Sequence, residues 1–256
     1  MKLDLYAERR GLIAAVGIFV FATIVIGVSL VALPSDPWKD KDYKAWTAEE
    51  VQKILWESPW VKMVEISAPW LKSPTPHVMM PMATDCNGRP DITRGERTPS
   101  SWATGNTDSI VVYQVTWQSA RTVRSAKFRQ ASLCGKADIE RGDDILDQEQ
   151  DNYVIVVNSP DMTPFENIDD NAWSKNSYLL FKKTGKKITP DAVVPLRYGT
   201  KAIYSLTFKF PKRAENGEPL LTPDEKEIEF ASQAGKFSLK TRFQVAKMMV
   251  KDKPDL

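Results

Sequence analysis

The chain has 256 residues, of which 42% are hydrophobic and 10% aromatic, enough to build a substantial core. Its 35 Lys and Arg residues nearly balance its 33 Asp and Glu residues, and the net charge of +2 excludes the bulk electrostatic attraction typical of nucleic-acid binding. The 17 prolines predict many turns and sheet edges, which favours a β-rich domain over a helical one.

The first feature along the chain is an uncharged stretch at residues 11–33, GLIAAVGIFVFATIVIGVSLVAL. An apolar helix of about 20 residues crosses the hydrocarbon core of a bilayer, so this stretch predicts a single transmembrane helix. Arg9 and Arg10 lie at its membrane boundary in a short head, residues 1–10, and this basic pair favours a cytoplasmic head. The rest of the chain is then expected on the periplasmic side of an inner membrane.

A cleaved signal peptide is the alternative interpretation of the same stretch. Signal peptides have apolar regions of about 7–15 residues that end at a small-x-small site. This stretch is longer, and its nearest candidate site, Leu30-Val31-Ala32, has Leu where a small residue is needed. Both differences favour an anchor that stays attached.

Residues 34–46, PSDPWKDKDYKAW, combine charges of both signs with aromatic residues and predict a tether. Aromatic residues beside a membrane helix often lie at the headgroup level. We therefore expect Trp38 at the membrane interface and Trp46 in the folded domain, which is expected to span residues 47–256.

That domain is predicted to open with a helix at residues 47–57 and a strand at residues 61–66. Thr47 and Glu50 match the S/T-x-x-E capping box of a helix N-terminus. The proline-rich residues 67–109 then predict an irregular excursion that would serve as a lid, a docking arm or a flap over a sheet edge.

A strand at residues 110–117 is followed by a predicted helical segment at residues 119–131. Four cations fall in this segment, namely Arg121, Arg124, Lys127 and Arg129. Arginines three residues apart share a helix face and can grip one carboxylate or phosphate. The segment is a candidate contact for an acidic protein surface or lipid headgroups, and the alternative is a solvated helix face with local salt bridges.

The remaining strands are predicted at residues 153–157, 177–183, 188–194, 202–210, 226–230 and 236–245. Tyr204 is expected to face inward, whereas Glu227 and Glu229 are expected to face outward. About eight strands at short spacing predict an antiparallel β-sandwich or barrel-like domain with one or two short helices. The intervals are too short for repeated crossover helices.

Cys86 and Cys134 can pair in an oxidising compartment, and the alternative is two independent buried residues. Neither belongs to a C-x-x-C motif, so haem attachment and thioredoxin-like chemistry are not supported. His77 is the only histidine, which leaves too few residues for a zinc site, and no G-x-S-x-G motif is present. No phosphate-binding glycine motif occurs, so no cofactor or metal is expected.

Three short blocks carry a resemblance to a known protein group. They are Trp46-Thr47 with residues 58–62 (SPWVK), residues 115–124 (VTWQSARTVR) and residues 243–248 (FQVAKM). These blocks resemble a group of secreted or membrane-anchored proteins of acidobacterial type, and the likeness spans most of residues 44–256. The group carries no assigned activity, so the resemblance implies export but no chemistry. Its members commonly have a removed leader, and the long uncharged stretch here departs from that pattern.

Together these patterns predict a non-catalytic, single-pass accessory subunit of a membrane complex, with a respiratory or photosynthetic assembly as the suggested setting. Its expected partners are the lipid bilayer and other subunits, not nucleic acid. One alternative is an extracytoplasmic ligand- or carbohydrate-binding module that uses Trp70 or Trp102. Another is an envelope hydrolase that uses acidic residues.

Overall fold

The computed structural model describes residues 36–71, 78–79, 86, 109–166, 168–198 and 202–256, which belong to one compact unit, Ser35–Leu256. The predicted head with Arg9 and Arg10 and the predicted transmembrane helix at residues 11–33 lie outside the described residues. Within the described ranges, no helix combines the length and the apolar character needed to cross a bilayer.

Short helices and β-strands make up the described fold. The helices are α1 (Pro37–Asp40), α2 (Ala48–Glu57), α3 (Arg121–Leu133), α4 (Gly142–Leu146), α5 (Thr163–Glu166) and α6 (Asp170–Lys175). The strands are β1 (Val61–Ser67), β2 (Val78–Met79), β3 (Ile110–Trp117), β4 (Asn152–Asn158), β5 (Ser177–Phe181), β6 (Lys187–Ile188), β7 (Ala192–Tyr198), β8 (Ala202–Pro211), β9 (Glu227–Ala234), β10 (Phe237–Gln244), β11 (Met249–Val250) and β12 (Lys253–Pro254).

The strands form two main sheets. A six-stranded sheet has the order β1-β3-β4-β8-β7, and the short β2 pairs in parallel with the start of β3. A four-stranded sheet has the order β10-β9-β5-β6, and β11 and β12 form a separate hairpin. Apart from β2, all described pairings are antiparallel, which confirms the prediction of a mainly β, antiparallel fold. The described ranges contain six α-helices, more than the one or two that the sequence predicts.

Aromatic rings from the two sheets meet in the core, as in a sandwich. Ring centroids lie 5.1 Å apart for Trp117 of β3 and Phe243 of β10, and 5.2 Å apart for Phe208 of β8 and Phe230 of β9. Both pairs have edge-to-face geometry, which aromatic quadrupoles favour. Alternation along β10 places Phe237, Leu239 and Phe243 on the buried side, as its sequence predicts.

Strand β3 is buried from Val111 to Trp117 because both of its faces are covered. One face turns to the aromatic core, and the other lies near α2, where the Gln114 side-chain amide donates to the Leu55 carbonyl at 3.0 Å. Helix α2 in turn begins with the predicted capping box. The Thr47 hydroxyl accepts from the Glu50 N–H at 3.2 Å, and the Thr47 N–H donates to the Glu50 carboxylate at 2.9 Å.

The folded domain includes residues 36–46, whose sequence predicts a tether. Trp38 is 6% exposed, and its ring lies edge-on to that of Trp60 with 5.6 Å between centroids. The Trp46 indole N–H donates to the Pro37 carbonyl at 3.1 Å. Burial against Trp60 withdraws the Trp38 ring from the headgroup position expected of it, whereas Trp46 lies in the domain as expected.

The predicted strand at residues 188–194 is wrong as a single element. Lys187–Ile188 pairs with β5 in the four-stranded sheet, whereas Ala192–Tyr198 pairs with β8 in the six-stranded sheet. Pro190 lies between the two pieces, and proline has no N–H to donate to a ladder. The chain therefore changes sheets at this point.

Candidate functional site

Glu229 of β9 lies on the outer face of the four-stranded sheet, yet its side chain is only 1% exposed. Side chains from β10, β5 and the residue after β5 surround it, because Arg242 and Leu180 are its Cα partners on the two flanking strands. Its carboxylate accepts from Lys182 Nζ at 2.8 Å, Lys240 Nζ at 2.8 Å, Arg242 Nε at 3.3 Å and Tyr178 Oη at 3.4 Å. We call these five residues the Glu229 cluster.

Opposing effects set the protonation state of Glu229. Burial by itself raises the pKa of this carboxyl, but hydrogen bonds from Lys182 and Lys240 and their charges outweigh burial and hold the pKa at about 2. The same contact raises the pKa of Lys240 above its ordinary value. Glu229 therefore stays ionised at neutral pH and serves as an anchor for cations, not as a proton donor.

The cations around Glu229 remain accessible from outside. The side chains of Lys182, Lys240 and Arg242 are 34%, 51% and 57% exposed. Two more charged residues share this face: Lys187, whose Nζ lies 4.0 Å from the Tyr178 ring centroid, and Glu227. Four cations against two carboxylates give these residues a net charge of +2. We call this surface the basic sheet face.

A second exposed surface is apolar and lies at the end of the six-stranded sheet. Val194 and Leu196 of β7 are 48% and 58% exposed, and Tyr204 of β8 is 55% exposed. Leu196 pairs with Ser205 and Arg197 with Ile203, so Tyr204 is an extra residue in a β-bulge. The bulge turns Tyr204 to solvent, which contradicts the predicted inward position. We call Val194, Leu196 and Tyr204 the edge patch.

The predicted basic segment forms α3, and three of its four cations make contacts within the domain. Arg121 Nη2 lies 2.6 Å from an Asp147 carboxylate oxygen, and Arg124 Nη2 donates to the Ile145 carbonyl at 2.9 Å. Arg129 Nε donates to the Trp46 carbonyl at 2.9 Å, and Lys127 is exposed. Arg121 thus makes a local salt bridge, whereas Arg124 and Arg129 contact backbone carbonyls. The contact of this segment with a partner stays a prediction.

Cys86 and Cys134 form a disulfide bond with 5.2 Å between their Cα atoms. Cys134 is the C-cap residue of α3, and Cys86 belongs to the proline-rich excursion. The bond therefore attaches that excursion to the end of α3. Of the two alternatives, pairing is the one that the structure shows.

A cavity of about 420 Å³ lies beside the start of β4 and the end of β8. Its lining combines charged and polar residues with two prolines and a tyrosine: Glu149, Gln150, Asp151, Asn152, Tyr153, Asp191, Pro211, Lys212, Arg213 and Pro219. Its cations already have acceptors, because Lys212 Nζ donates to the Leu256 carbonyl at 3.0 Å and Arg213 Nη1 to the Gly217 carbonyl at 3.2 Å. The lining includes no histidine, cysteine or serine, and its carboxylates are those of Glu149, Asp151 and Asp191.

The other side chains considered for chemistry do not gather into a site. Trp70, a candidate sugar platform, donates its indole N–H to the buried Asp161 at 2.7 Å and lies edge-on to Phe237. His77 and Trp102 lie outside the described residues. Within the described ranges, no three His, Cys, Asp or Glu side chains are grouped to hold a metal ion.

Sequence reasoning missed both surfaces. The signal for the basic sheet face was present, because Lys240 and Arg242 occupy outward positions of one strand and Glu229 an outward position of another. The sequence does not show that β9 pairs with β10 on one side and with β5 on the other.

Searches against protein-family models, curated proteins and solved structures found no match to this chain.

Proposed function

We propose that this protein is a non-catalytic subunit of a membrane complex, which works by docking its extracytoplasmic domain on another subunit. The observation that carries the proposal is the edge patch, where Val194, Leu196 and Tyr204 are each about half exposed. Adjacent exposed apolar side chains are typical of protein contact sites. A partner with an apolar surface strip would remove all three from water.

The position of the edge patch supports a contact role. Strand β7 ends the order of the six-stranded sheet and pairs with β8 alone among the described strands. End strands offer backbone groups to a partner as well as side chains. The edge patch therefore combines apolar area with a strand edge.

The disulfide and the sequence support a periplasmic location for the domain. Disulfides persist in oxidising compartments such as the periplasm, and Cys86 and Cys134 are paired. The uncharged stretch at residues 11–33 would tether the domain, with Arg9 and Arg10 on the cytoplasmic side. A respiratory or photosynthetic assembly remains our suggested setting.

The experiment compares substitutions in the edge patch with a matched exposed position. Leu196→Lys places a charge in the patch, whereas Ile145→Lys does the same at a 45% exposed apolar residue of α4, outside the patch. Tagged full-length protein would be purified from its native membranes in mild detergent. We expect the wild type and Ile145→Lys to recover the same partner subunit in equal amounts, and Leu196→Lys to lose it.

Circular dichroism of each purified variant would show that the domain stays folded. A wild-type protein that purifies as a lone monomer would overturn the proposal. So would a folded Leu196→Lys variant that recovers the partner as well as the wild type does.

A further inference from the structure

The basic sheet face lies on the other sheet from the edge patch, so partner docking at the patch leaves it uncovered. We propose that this face contacts anionic lipid headgroups of the bilayer. The inference rests on the proposed function, because it requires the chain to be tethered at a membrane through residues 11–33.

Glu229 holds three of the four cations of this face in place, Lys182, Lys240 and Arg242, without using up their hydrogen-bonding capacity. An ammonium group has three donors and a guanidinium has five. Lys182 and Lys240 each place Nζ 2.8 Å from the Glu229 carboxylate, and about a third and a half of their side chains stay in contact with solvent. The array is therefore ordered beforehand and still able to donate to anions outside the protein.

The shape of this face favours a surface of many anions over a single bound anion. Its cations stand on β10, on β6 and just after β5, spread across the outer side of an open sheet. Several phosphates side by side, as in a leaflet, could accept hydrogen bonds from the donors of these side chains that face solvent. Charge complementarity then provides the attraction, which acts over a screening length of about 8 Å at physiological salt.

The start of the folded domain is connected through the core to Phe243, the residue that follows Arg242. The Trp38 ring contacts the Trp60 ring, and the Trp60 carbonyl accepts from the Trp117 N–H at 2.8 Å. The Trp117 ring in turn lies 5.1 Å from that of Phe243, the neighbour of Arg242. A short chain of direct contacts thus connects the first described helix to the basic end of β10.

The sequence leaves little chain between the predicted anchor and this first helix. Asp36 follows Leu33 by three residues, and three extended residues span about 10 Å. The proposed membrane tether at residues 11–33 would bring the domain to the bilayer surface. The chemical class recognised is a phosphate-bearing anionic headgroup.

The test uses the full-length protein in lipid nanodiscs of phosphatidylcholine, with and without phosphatidylglycerol. A Ser238→Cys substitution on the exposed side of β10 would carry a fluorophore, and spin-labelled headgroups would quench it on contact. We expect clearly stronger quenching in the anionic discs, reversed by high salt. Removal of one contacting charge should lower the contact equilibrium by about fivefold.

Lys187→Gln is the main variant, because Lys187 contacts the Tyr178 ring and is not a partner of Glu229 in the cluster. Lys240→Gln is the second variant, and thermal unfolding would show whether losing a Glu229 partner affects the fold. Lys209→Gln, at an exposed outward position of the other sheet, is the matched control and should leave quenching unchanged.

Equal quenching in neutral and anionic discs would overturn the inference. If Lys187→Gln instead reduces recovery of a protein partner from native membranes, the face binds an acidic protein and the lipid assignment is wrong. A chain that does not stay in the nanodisc would contradict the membrane tether, and therefore the proposed function itself.

Discussion

Glu229 is ionised and almost completely buried, although it lies on the outer face of a sheet. The strands on both sides bring cations over it, and the attraction of these cations exceeds the cost of removing the carboxylate from water.

Gly142, the first residue of α4, is constrained by the space around it. A Cβ there would lie 2.3 Å from the Tyr43 hydroxyl and 2.8 Å from a Phe128 ring carbon, so only glycine fits without displacement.

The lowered pKa of Glu229 predicts acid sensitivity. Its folded value of about 2 lies below the ordinary value of 4.5, so the ionised form stabilises the fold above pH 5. This stability, on the order of 3 kcal/mol, should be lost as the pH falls from about 5 towards 2. Denaturant unfolding at a series of pH values would measure it.

Glu229→Gln should lower the free energy of unfolding at pH 7 and flatten its dependence on pH in the acid range. Glu227→Gln is the control, since its side chain is 29% exposed on the same strand and faces Arg242 at 3.6 Å. If the free energy of unfolding falls equally steeply with acid pH in the wild type and in Glu229→Gln, Glu229 is not the source of the acid sensitivity.

At the scale of elements, the start of α3 depends on a residue far along the chain. Ala120 is its N-cap residue and offers no side-chain acceptor. The Asp255 carboxylate accepts instead from the backbone N–H groups of Arg121 at 2.6 Å and Thr122 at 2.9 Å. The Asp255 carbonyl also accepts from the Trp60 indole N–H at 2.6 Å, so this residue joins α3 to the chain before β1.

Asp255→Ala should therefore destabilise the domain by about 1 kcal/mol, the usual cost of losing a helix cap. The change should also speed hydrogen exchange at the Arg121 and Thr122 amides, which mass spectrometry or NMR would detect. Lys253→Ala, at an exposed position of the same segment, is the control and should leave both measurements unchanged. Unaltered exchange at Arg121 and Thr122 in Asp255→Ala would show that the carboxylate is not the cap.

For the whole molecule, the disulfide is the longest covalent constraint that the structure describes. Cys86 and Cys134 are 48 residues apart in sequence, and a bond that closes such a loop restricts the unfolded chain strongly. The aromatic core between the sheets supplies the rest of the cohesion, with fully buried rings such as Trp117, Phe208 and Phe230.

Reduction of the disulfide should lower the free energy of unfolding by about 2–4 kcal/mol. Unfolding curves with and without a non-thiol reductant would measure the change. A Cys86→Ser, Cys134→Ser double variant should start at the lower stability and show no response to the reductant. If the reductant does not shift the unfolding curve of the wild type, the prediction is wrong.

The sequence by itself determined the features that depend on neighbours within a few residues. The capping box at Thr47 and Glu50 follows from local hydrogen bonding, and the alternation along β10 follows from the two-residue period of a strand. These local patterns sufficed for a mainly antiparallel β domain.

The tertiary structure decided everything that depends on which distant segments meet. The bulge at Tyr204 arises from the pairing of β8 with β7. Glu229 is buried because side chains of the two flanking strands cover it, and Trp38 is buried because it packs against Trp60. The physical reason is that exposure and charge environment belong to pairs of residues brought together by the fold. A linear pattern shows on which side of a strand a residue lies, but not what covers it there.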